Sequence, residues 1–373
     1  MIDFAGMLGP ERFLNQFHGH IARGESVLCV IPECERFRAE PFLRSAVGQR
    51  GFDCVPVEVT SASDLPDAIA AAANLPPVQT NIRRLAATLT SMMESPAAPH
   101  RPVIFVPLTT DEHGLAIANA IGDAYPALRC FEASRRPRLC LTVPNSMARE
   151  LRNSTVREDF KPLLWGSYVV NHDIRTVVTE RMADFELPRF NTRLIGEVLA
   201  ELSLWDLDCA QEMLSREIRS HDDISTALSA YAARRGWTAN TPDSVDEGTL
   251  GMCNGIEETH SAALLLRGEE FELNRRVWRA QLGIVLPALD EIRLDIISRY
   301  QALLKEADVG EVDLIDYGQL YSSLSNNRSR IDTRDLDIIG WCRWTRNELS
   351  HLKPVAMSVL LTWPHWEYAR RGA

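Results

Sequence analysis

Short runs of apolar residues alternate with stretches of helical spacing through the first half of the chain. The runs are Ser26–Ile31, Asp53–Val59, Val103–Leu108, Arg138–Val143 and Ser167–Val170. Helical stretches such as Leu65–Ala73 and Leu115–Ile121 lie between them. Strands that are buried on both faces form continuous apolar runs, and their alternation with helices is typical of parallel crossover units. The pattern predicts an open, mainly parallel α/β domain over residues 1–180.

Residues 181–237 show apolar positions at steps of three and four, which indicates a small helical module. A lid or a winged helix is the expected form. Arginine and lysine do not line a recognition helix in this segment, so a DNA-binding role is a distant alternative. The stretch Thr238–Gly251 is rich in turn formers and acids and predicts a linker. The module and its linker together cover residues 181–248.

The last part of the chain, residues 249–373, has the pattern of an all-helical domain. Helices are expected over Glu257–Arg267 and over Glu269–Leu304, the second interrupted at Gly283 and Pro287. Apolar residues recur along that second stretch at three- and four-residue steps, which is the pattern of a bundle core. We expect this domain to fold by itself and to form a homodimer.

The stretch after the first predicted strand is where sheets of this type usually bind a ligand. A P-loop NTPase would have Gly-x-x-x-x-Gly-Lys-[Ser/Thr] there, but this chain has Pro32–Glu40, with acids at Glu33 and Glu35 and neither glycine nor lysine. Asp111 and Glu112 follow the third strand, where a Walker B acid would lie, although acids are also common loop residues. We therefore expect no ATP hydrolysis and no bound cofactor.

Strand units followed by helical segments resemble the NTPase module of AAA-like and STAND proteins, here without its Walker A motif. The resemblance covers about half of the chain. It implies a degenerate P-loop-NTPase-like α/β fold that has kept its framework and lost its nucleotide chemistry.

The segment Arg346–His351 lies near the end of a predicted helix that begins at an Asp332 cap and stops before Pro354. Asn347 and His351 fall on the side opposite the apolar stripe of this helix. Arg346 lies about 140° around the helix from His351, so only its long side chain would bring it near the imidazole.

This segment resembles the signature of the HEPN family, an arginine, a polar residue, three further positions and a histidine at a helix end. The resemblance implies metal-independent RNA cleavage at a dimer interface, with Arg346 on the scissile phosphate and His351 in proton transfer. Asn347 and Ser350 would assist them. The spacing alone is common, since Arg216 and His221 repeat it. The alternative is a solvated helix face whose histidine caps the last turn.

The formal net charge of −11 argues against broad contact with a phosphate backbone. The eight cysteines are scattered and form no ligand set, which is typical of reduced residues in a cytoplasmic protein. His18 and His20 have no third ligand nearby in the sequence, so no metal site is expected. No apolar run approaches the roughly 20 residues of a membrane span, and the start Met1–Phe4 does not resemble a signal peptide.

Two functions remain open from the sequence. The first is an endoribonuclease, a toxin or anti-phage defence effector, in which the α/β domain senses a signal or binds a regulatory protein partner and RNA is the substrate. The second is a non-catalytic regulatory or scaffold protein with a degenerate NTPase module and a HEPN-like dimerisation domain. The tail Leu361–Ala373 is aromatic and then basic, so it would either stack on bases or dock on its own domain.

Overall fold

The computed structural model describes residues 7–76, 84–94, 102–132, 135–151, 156–168, 170–253, 256–307 and 314–363. Contacts divide the chain into two compact units. The α/β unit contains residues 3–173 and 242–259, and the helical unit contains residues 174–241 and 260–373. This division differs from the predicted boundaries, because most of the expected linker belongs to the α/β unit and the module 181–237 belongs with the last helices.

The α/β unit is built on five parallel strands in the order β2-β3-β4-β1-β5. The strands are β1 (Ser26–Val30), β2 (Asp53–Pro56), β3 (Pro102–Pro107), β4 (Arg138–Val143) and β5 (Phe160–Leu164). β1 and β4 are buried along their whole length, because helices cover both faces of a parallel sheet. The predicted α/β class with a parallel sheet followed by helices is confirmed.

The helices of this unit are α1 (Leu8–Ala22), α2 (Glu33–Gln49), α3 (Leu65–Ala72), α4 (Arg84–Glu94), α5 (Glu112–Ala124), α6 (Asn145–Glu150) and α7 (Val156–Asp159). An antiparallel hairpin of β6 (Leu250–Cys253) and β7 (Ile256–Thr259) completes it. The core on one side of the sheet includes Leu28, Ile104 and Leu141, packed against apolar residues of α3, α4 and α5.

The fifth strand is not where the sequence pattern placed it. The strand is Phe160–Leu164, whereas Ser167 lies in a short 3-10 helix that begins at the buried Trp165. β5 is an edge strand with only two buried residues and with Pro162 in its middle. An edge position tolerates proline because one side of the strand has no ladder to complete. Because of this composition, the strand does not form an apolar run in the sequence and was not predicted.

The helical unit contains α9 (Arg189–Ser203), α10 (Leu207–Leu214), α11 (His221–Arg234), α12 (Ser261–Leu266), α13 (Glu270–Arg299), α14 (Gln301–Glu306), α15 (Tyr317–Ser325), α16 (Thr333–Ser350) and α17 (Met357–Thr362). α8 (Asn171–Met182) begins at the boundary between the units. The most extensive helix pairing is that of α9 with α13. Residues 249–373 therefore share their core with residues 189–203, and the independent folding of residues 249–373 stays a prediction.

α13 runs through Pro287 without the predicted interruption. Gly283, four residues earlier, and Pro287 are both exposed. The carbonyl group that proline leaves without a partner therefore faces water, and the buried side of the helix keeps its packing through Val285 and Leu289. Proline is tolerated here because it lies on the exposed side of the helix. The local sequence does not show which side of the helix is exposed.

The predicted helix Glu257–Arg267 is replaced by β7 and the short α12. The sequence Asn254-Gly255 between β6 and β7 is a strong signal for a β-hairpin. The helical pattern of the residues that follow it nevertheless led to the prediction of a helix. Within the described residues, no helix is both long enough and apolar enough to cross a membrane. None of the eight cysteines forms a disulfide.

Candidate functional site

The carboxyl ends of β1 and β4 are the place where this topology would bind a ligand. The chain leaving β1 passes β4 and β3 to reach β2, and the chain leaving β4 passes β1 to reach β5. The two connections leave adjacent strands in opposite directions, which opens a crevice between them in sheets of this kind. We call the ends of β1 and β4, with the first turns of α2 and α6, the switch crevice.

No phosphate loop follows β1. Only Ile31 and Pro32 separate β1 from α2, and the amide of Ile31 still donates to the carbonyl of Val143, at 2.9 Å. The stretch Pro32–Glu40, where a phosphate loop would lie, is helical from Glu33 onward. A connection this short cannot wrap its amides around a phosphate group.

Asp246 closes the switch crevice. Its carboxylate accepts from the amides of Asn145 and Ser146, both at 2.7 Å, and its carbonyl oxygen accepts from the amide of Cys34 at 3.3 Å. These three N–H groups belong to the first turns of α6 and α2, where helix amides have no partner within the helix. Asp246 thus accepts the hydrogen bonds that these amides would otherwise offer to an anionic ligand.

The loop that presents Asp246 is ordered by a buried threonine. Thr249 has no exposed surface, and its hydroxyl donates to the carbonyl of Pro242 at 2.8 Å while accepting from the amide of Ser244 at 2.9 Å. The amide of Leu250 closes the loop on the carbonyl of Ser244 at 3.2 Å. These bonds hold the loop in its shape, so Asp246 is placed by a defined turn.

The basic side chain nearest the start of α2 is already neutralised. Arg36 is 9% exposed and donates to Glu33 at 2.8 Å and twice to Glu40 at 3.0 Å. The hydroxyl of Thr142, on β4, donates to the same Glu40 oxygen at 2.6 Å. Burial opposes ionisation of Arg36, but the two carboxylates outweigh it and raise the pKa of the guanidinium. The positive charge of Arg36 is therefore compensated by the two carboxylates.

Asp111, the candidate Walker B acid, caps α5 instead. Its carboxylate accepts from the hydroxyl of Thr109 at 2.6 Å and from the amide of Gly114 at 2.9 Å, and these bonds lower its pKa. A Cβ on Gly114 would lie 2.1 Å from the carbonyl oxygen of Thr109, so this turn requires glycine. Glu112 is exposed in the first turn of the helix. Both acids have structural explanations.

The second candidate site is the end of α16, which has the predicted limits. The side chain of Asp332 caps the first turn, and the helix ends at Ser350, before Pro354. The amide of Lys353 donates to the carbonyl of Glu348 and that of Leu352 to Leu349, which is the Schellman arrangement. Leu352 accordingly has a φ of 60°, in the left-handed region.

Two side chains of α13 hold this end in place. The indole of Trp278 donates to the carbonyl of Leu349 at 2.6 Å. The amide group of the fully buried Gln281 donates to the carbonyl of Val355 at 2.7 Å and accepts from its N–H at 2.8 Å. The backbone on both sides of His351 is therefore fixed by its own unit.

Arg346, Asn347, Ser350 and His351 are all exposed at this helix end. The hydroxyl of Ser350 donates to the carbonyl of Arg346 at 2.8 Å. No hydrogen bond joins the side chains of Arg346, Asn347 and His351 to one another within the described part of the chain. The four residues share one end of a rigid helix without forming a closed cluster.

Asp246 lies in the stretch whose turn formers and acids predict a linker, and no local signal marks it as a site residue. The two early histidines have separate partners, His18 the carbonyl of Ala46 and His20 the carboxylate of Glu25. Among the described residues, no group of three histidine, cysteine or acidic side chains could hold a metal ion.

No family model matches the sequence, and a comparison with curated proteins finds no match. Among solved structures, the chain is similar to the crystal structure of Cdc6p from Pyrobaculum aerophilum, with 14% identity over 96% of each chain and a TM-score of 0.39. A likeness of this degree carries no argument, so the α/β fold is established here by its strand order. Nothing in the comparisons supports a HEPN domain or ribonuclease activity.

Proposed function

We propose that this chain is a non-catalytic regulatory protein whose α/β unit keeps a nucleotide-type framework and binds no nucleoside triphosphate. One observation carries the proposal: the carboxylate of Asp246 accepts from two amides in the first turn of α6, and its carbonyl oxygen accepts from one amide in the first turn of α2. A carboxylate of the chain itself therefore lies at the border of the switch crevice.

A triphosphate would have to displace Asp246 against several unfavourable terms. Displacement would break hydrogen bonds from three helix amides, each worth about 0.5–1.5 kcal/mol, and the first turn of α2 offers neither a glycine loop nor a lysine in return. Arg36 cannot compensate, because Glu33 and Glu40 already bind it. Together these terms argue against nucleotide turnover in this framework.

Calorimetry with ATP and Mg²⁺ tests this proposal. We expect no heat of binding for the wild type up to millimolar ATP. Glu58→Ala, a change at an exposed acid elsewhere in the same unit, is the matched control for Asp111→Ala. A micromolar Kd that Asp111→Ala abolishes and Glu58→Ala preserves would place ATP at the end of the sheet and contradict the proposal.

A metal-independent endoribonuclease is the second candidate, and one observation favours it. Arg346, Asn347, Ser350 and His351 are exposed at a helix end that Trp278 and Gln281 hold in place. Reactive side chains on a rigid backbone are what a catalytic site requires. A homodimer that brings two such ends together is part of this candidate function.

The reaction would be attack of a ribose 2′-hydroxyl on the adjacent phosphate. A new O2′–P bond forms, the P–O5′ bond breaks, a base takes the 2′ proton and an acid returns one to O5′. The planar guanidinium of Arg346 would bind two phosphate oxygens. The imidazole of His351 would move the proton, since a histidine can exchange protons near neutral pH. Asn347 and Ser350 would orient them.

Incubation of labelled single-stranded RNA with the protein in EDTA tests this second candidate. His351→Ala should reduce cleavage by about 10²–10⁴-fold with little change in melting temperature, because the side chain is exposed. His221→Ala removes an exposed histidine with the same spacing from an arginine, Arg216, and should leave cleavage unchanged. DNA should resist, because it lacks the attacking hydroxyl. RNA left intact by the wild type, alone and with its native partners, would eliminate this candidate and leave the first.

A further inference from the structure

Two aromatic rings are exposed on the pair of helices α15 and α16, which pack together in the helical unit. Trp344 is 45% exposed and Tyr321 is 36% exposed. Cε2 of Tyr321 lies 3.6 Å from the position that a Cβ of Gly340 would take. Gly340 and Trp344 are four positions apart on α16, so they share one face of that helix. Both exposed rings therefore lie on the same side of α16, and we call Tyr321, Arg343 and Trp344 the aromatic face.

Neighbouring side chains hold the aromatic face in place. The guanidinium carbon of Arg343 lies 5.9 Å from the centroid of the Tyr321 ring. Trp341, three positions before Trp344, stacks on Trp363 with the ring centroids 3.6 Å apart. Exposed rings on a fixed helix present flat apolar surface that is already in position for a ligand.

The second feature of this region is its charge. Residues 343–353 contain three cationic side chains, Arg343, Arg346 and Lys353, and one acid, Glu348, whereas the whole chain has 40 lysines and arginines and 51 acids. All three cations are exposed. Within the part of the chain that the structure describes, none of them forms an ion pair. This stretch is therefore locally positive in an acidic protein.

Exposed arginines elsewhere in the helical unit are neutralised by acids. Arg219 pairs with Glu217, and Arg330 pairs with Glu306. The cations of residues 343–353 differ from these because their charge is not compensated by a described carboxylate. An uncompensated positive charge beside exposed rings is the combination that binds a nucleic acid strand.

This combination also decides which kind of ligand fits. An unpaired base stacks on an aromatic ring through its flat face, and the phosphate beside it binds a cation. A duplex hides the faces of its bases, and the net charge of −11 opposes long contact with its phosphates. An acidic peptide would use the cations and leave the rings in water. A short single strand uses both.

We propose that the aromatic face binds single-stranded nucleic acid. Bases stack on Trp344 and Tyr321, and phosphates bind Arg343 and Arg346. Arg346 follows Arg343 by three positions, so both cations lie along one flank of α16, and Lys353 lies just beyond the end of that helix. Stacking and phosphate contact do not depend on the sugar, so RNA and DNA should bind alike.

This binding goes beyond both candidate functions, because it needs no 2′-hydroxyl and no cleavage. It gives the regulatory protein of the first candidate a nucleic-acid partner. Since DNA lacks the attacking hydroxyl, binding of a DNA strand is measured separately from any cleavage of RNA. Failure of one proposal therefore does not decide the other.

Fluorescence anisotropy with the full chain tests the stacking contacts, using labelled poly-dT and poly-U strands of about 16 nucleotides. Trp344→Ala should weaken binding of both strands by about 5- to 150-fold, which corresponds to the loss of one stacked base. Trp344→Phe keeps a ring and should recover most of the affinity. Phe271→Ala removes an exposed ring of α13 in the same unit and should leave the affinity unchanged. Tyr321→Ala provides a second loss-of-binding variant in case Trp344→Ala unfolds the unit.

The salt dependence of binding tests the cations. For single strands, the slope of log K against log salt is about −0.7 for each phosphate contact, so three cations predict a slope of about −2. Arg343→Gln should make the slope less steep by about 0.7. Arg216→Gln, whose guanidinium is paired with Glu212, should leave the slope unchanged.

Four results would overturn the proposal. The first is no change in anisotropy with the wild type at roughly 10⁻⁴ M protein, the weak end of non-specific binding. The second is equal affinity of the wild type and a folded Trp344→Ala variant. The third is a duplex or a poly-glutamate peptide that binds as tightly as the single strands, because charge alone would then explain binding. The fourth is a wild-type dimer that Trp344→Ala dissociates, because a second copy would then cover the rings.

Discussion

The switch crevice and the end of α16 satisfy their helix ends in opposite ways. In the crevice, Asp246 accepts from one amide of α2 and two amides of α6, and the neighbouring Arg36 binds two acids. At the end of α16, the chain completes only the backbone hydrogen bonds, and the side chains of Arg346 and His351 face solvent. The first region is closed by its own chain and the second is open.

The difference teaches that the position of a site in a fold and its capacity to bind are separate properties. The rule for parallel sheets points to the crevice, where this chain has placed its own carboxylate. The open region lies on a helix of the other unit, where no rule of sheet topology points. Three measurements test whether the closed region is held closed and the open one is held rigid, and a fourth compares the exposed His351 with a buried histidine.

The largest effect is expected from Gln281→Ala, which tests whether the open region is rigid. The substitution leaves the N–H and the carbonyl of Val355 without their partners in a buried position. At about 1–3 kcal/mol for each of the two groups, the free energy of unfolding should fall by roughly 2–6 kcal/mol. Urea unfolding followed by circular dichroism measures it. Gln301→Ala, at an exposed position, should change stability by less than about 0.5 kcal/mol, and equal stabilities of the two variants would remove the claim of rigidity.

A buried histidine sharpens the contrast with the exposed His351. Nδ1 of His260 accepts from the amide of Ala262, at 3.1 Å, so Nε2 carries the proton. The groups that face this imidazole are the rings of Trp205, Tyr231 and Trp237 and the charged side chains of Asp206, Arg235 and Arg276. Burial lowers the pKa of His260 to about 4, with Asp206 opposing the shift and the two arginines adding to it.

The pH dependence follows from this lowered pKa. Because the folded state binds the proton less readily than the unfolded state, the stabilisation is present above pH 6.5 and is lost as the pH falls from 6.5 towards 4. The maximum is about 3 kcal/mol. His260→Gln should reduce the difference in unfolding free energy between pH 7 and pH 4.5, and His351→Gln should keep the difference seen in the wild type. If the free energy of unfolding depended on pH in the same way in all three proteins, His260 would not stay neutral in the folded state.

Asp246→Ala tests whether the crevice is held closed. The substitution removes two charge-assisted hydrogen bonds and should lower the free energy of unfolding by about 2 kcal/mol. Asp246→Asn keeps an acceptor and should lose less, and Glu58→Ala should lose almost nothing. Urea unfolding of the three variants gives the comparison. An Asp246→Ala protein as stable as the wild type would mean that the crevice is open after all.

The smallest effect is expected at Leu352, which has a left-handed backbone at the open end. Leu352→Gly removes the strain of this conformation and should raise the free energy of unfolding by less than about 1 kcal/mol, because the side chain is 57% exposed and gives up little burial. Lys353→Gly, one position later, has no such strain to release and should destabilise slightly. A loss of stability in both variants would show that packing of the Leu352 side chain stabilises the protein by more than the backbone strain destabilises it.

Local signals predicted the parts of this structure that depend on neighbouring residues. The cap at Asp332 and the stop before Pro354 set the limits of α16, and the apolar runs located β1 and β4. Local sequence could not show that α13 would continue through Pro287, because that depends on which side of the helix the rest of the unit covers.

The closure of the crevice could not be predicted from the sequence for a related reason. Asp246 and Asn145 are 101 positions apart, and an acid among turn formers gives no sign of the amides that it will meet. The residues at the end of α16 were placed at one helix end as expected, but their angles around the helix do not make them a cluster. Their chemistry stays a prediction until RNA is tested.

The buried thiols give each unit its own reporter of opening. Burial raises the pKa of Cys140 in the α/β unit well above its usual range and raises that of Cys342 in the helical unit to about 12. Neither will react with an alkylating reagent until its surroundings open, because the thiolate is the reactive form. Cys130 is exposed and serves as the unprotected reference thiol. Timed alkylation followed by mass spectrometry would therefore measure the opening of the two units separately, in one unmodified protein.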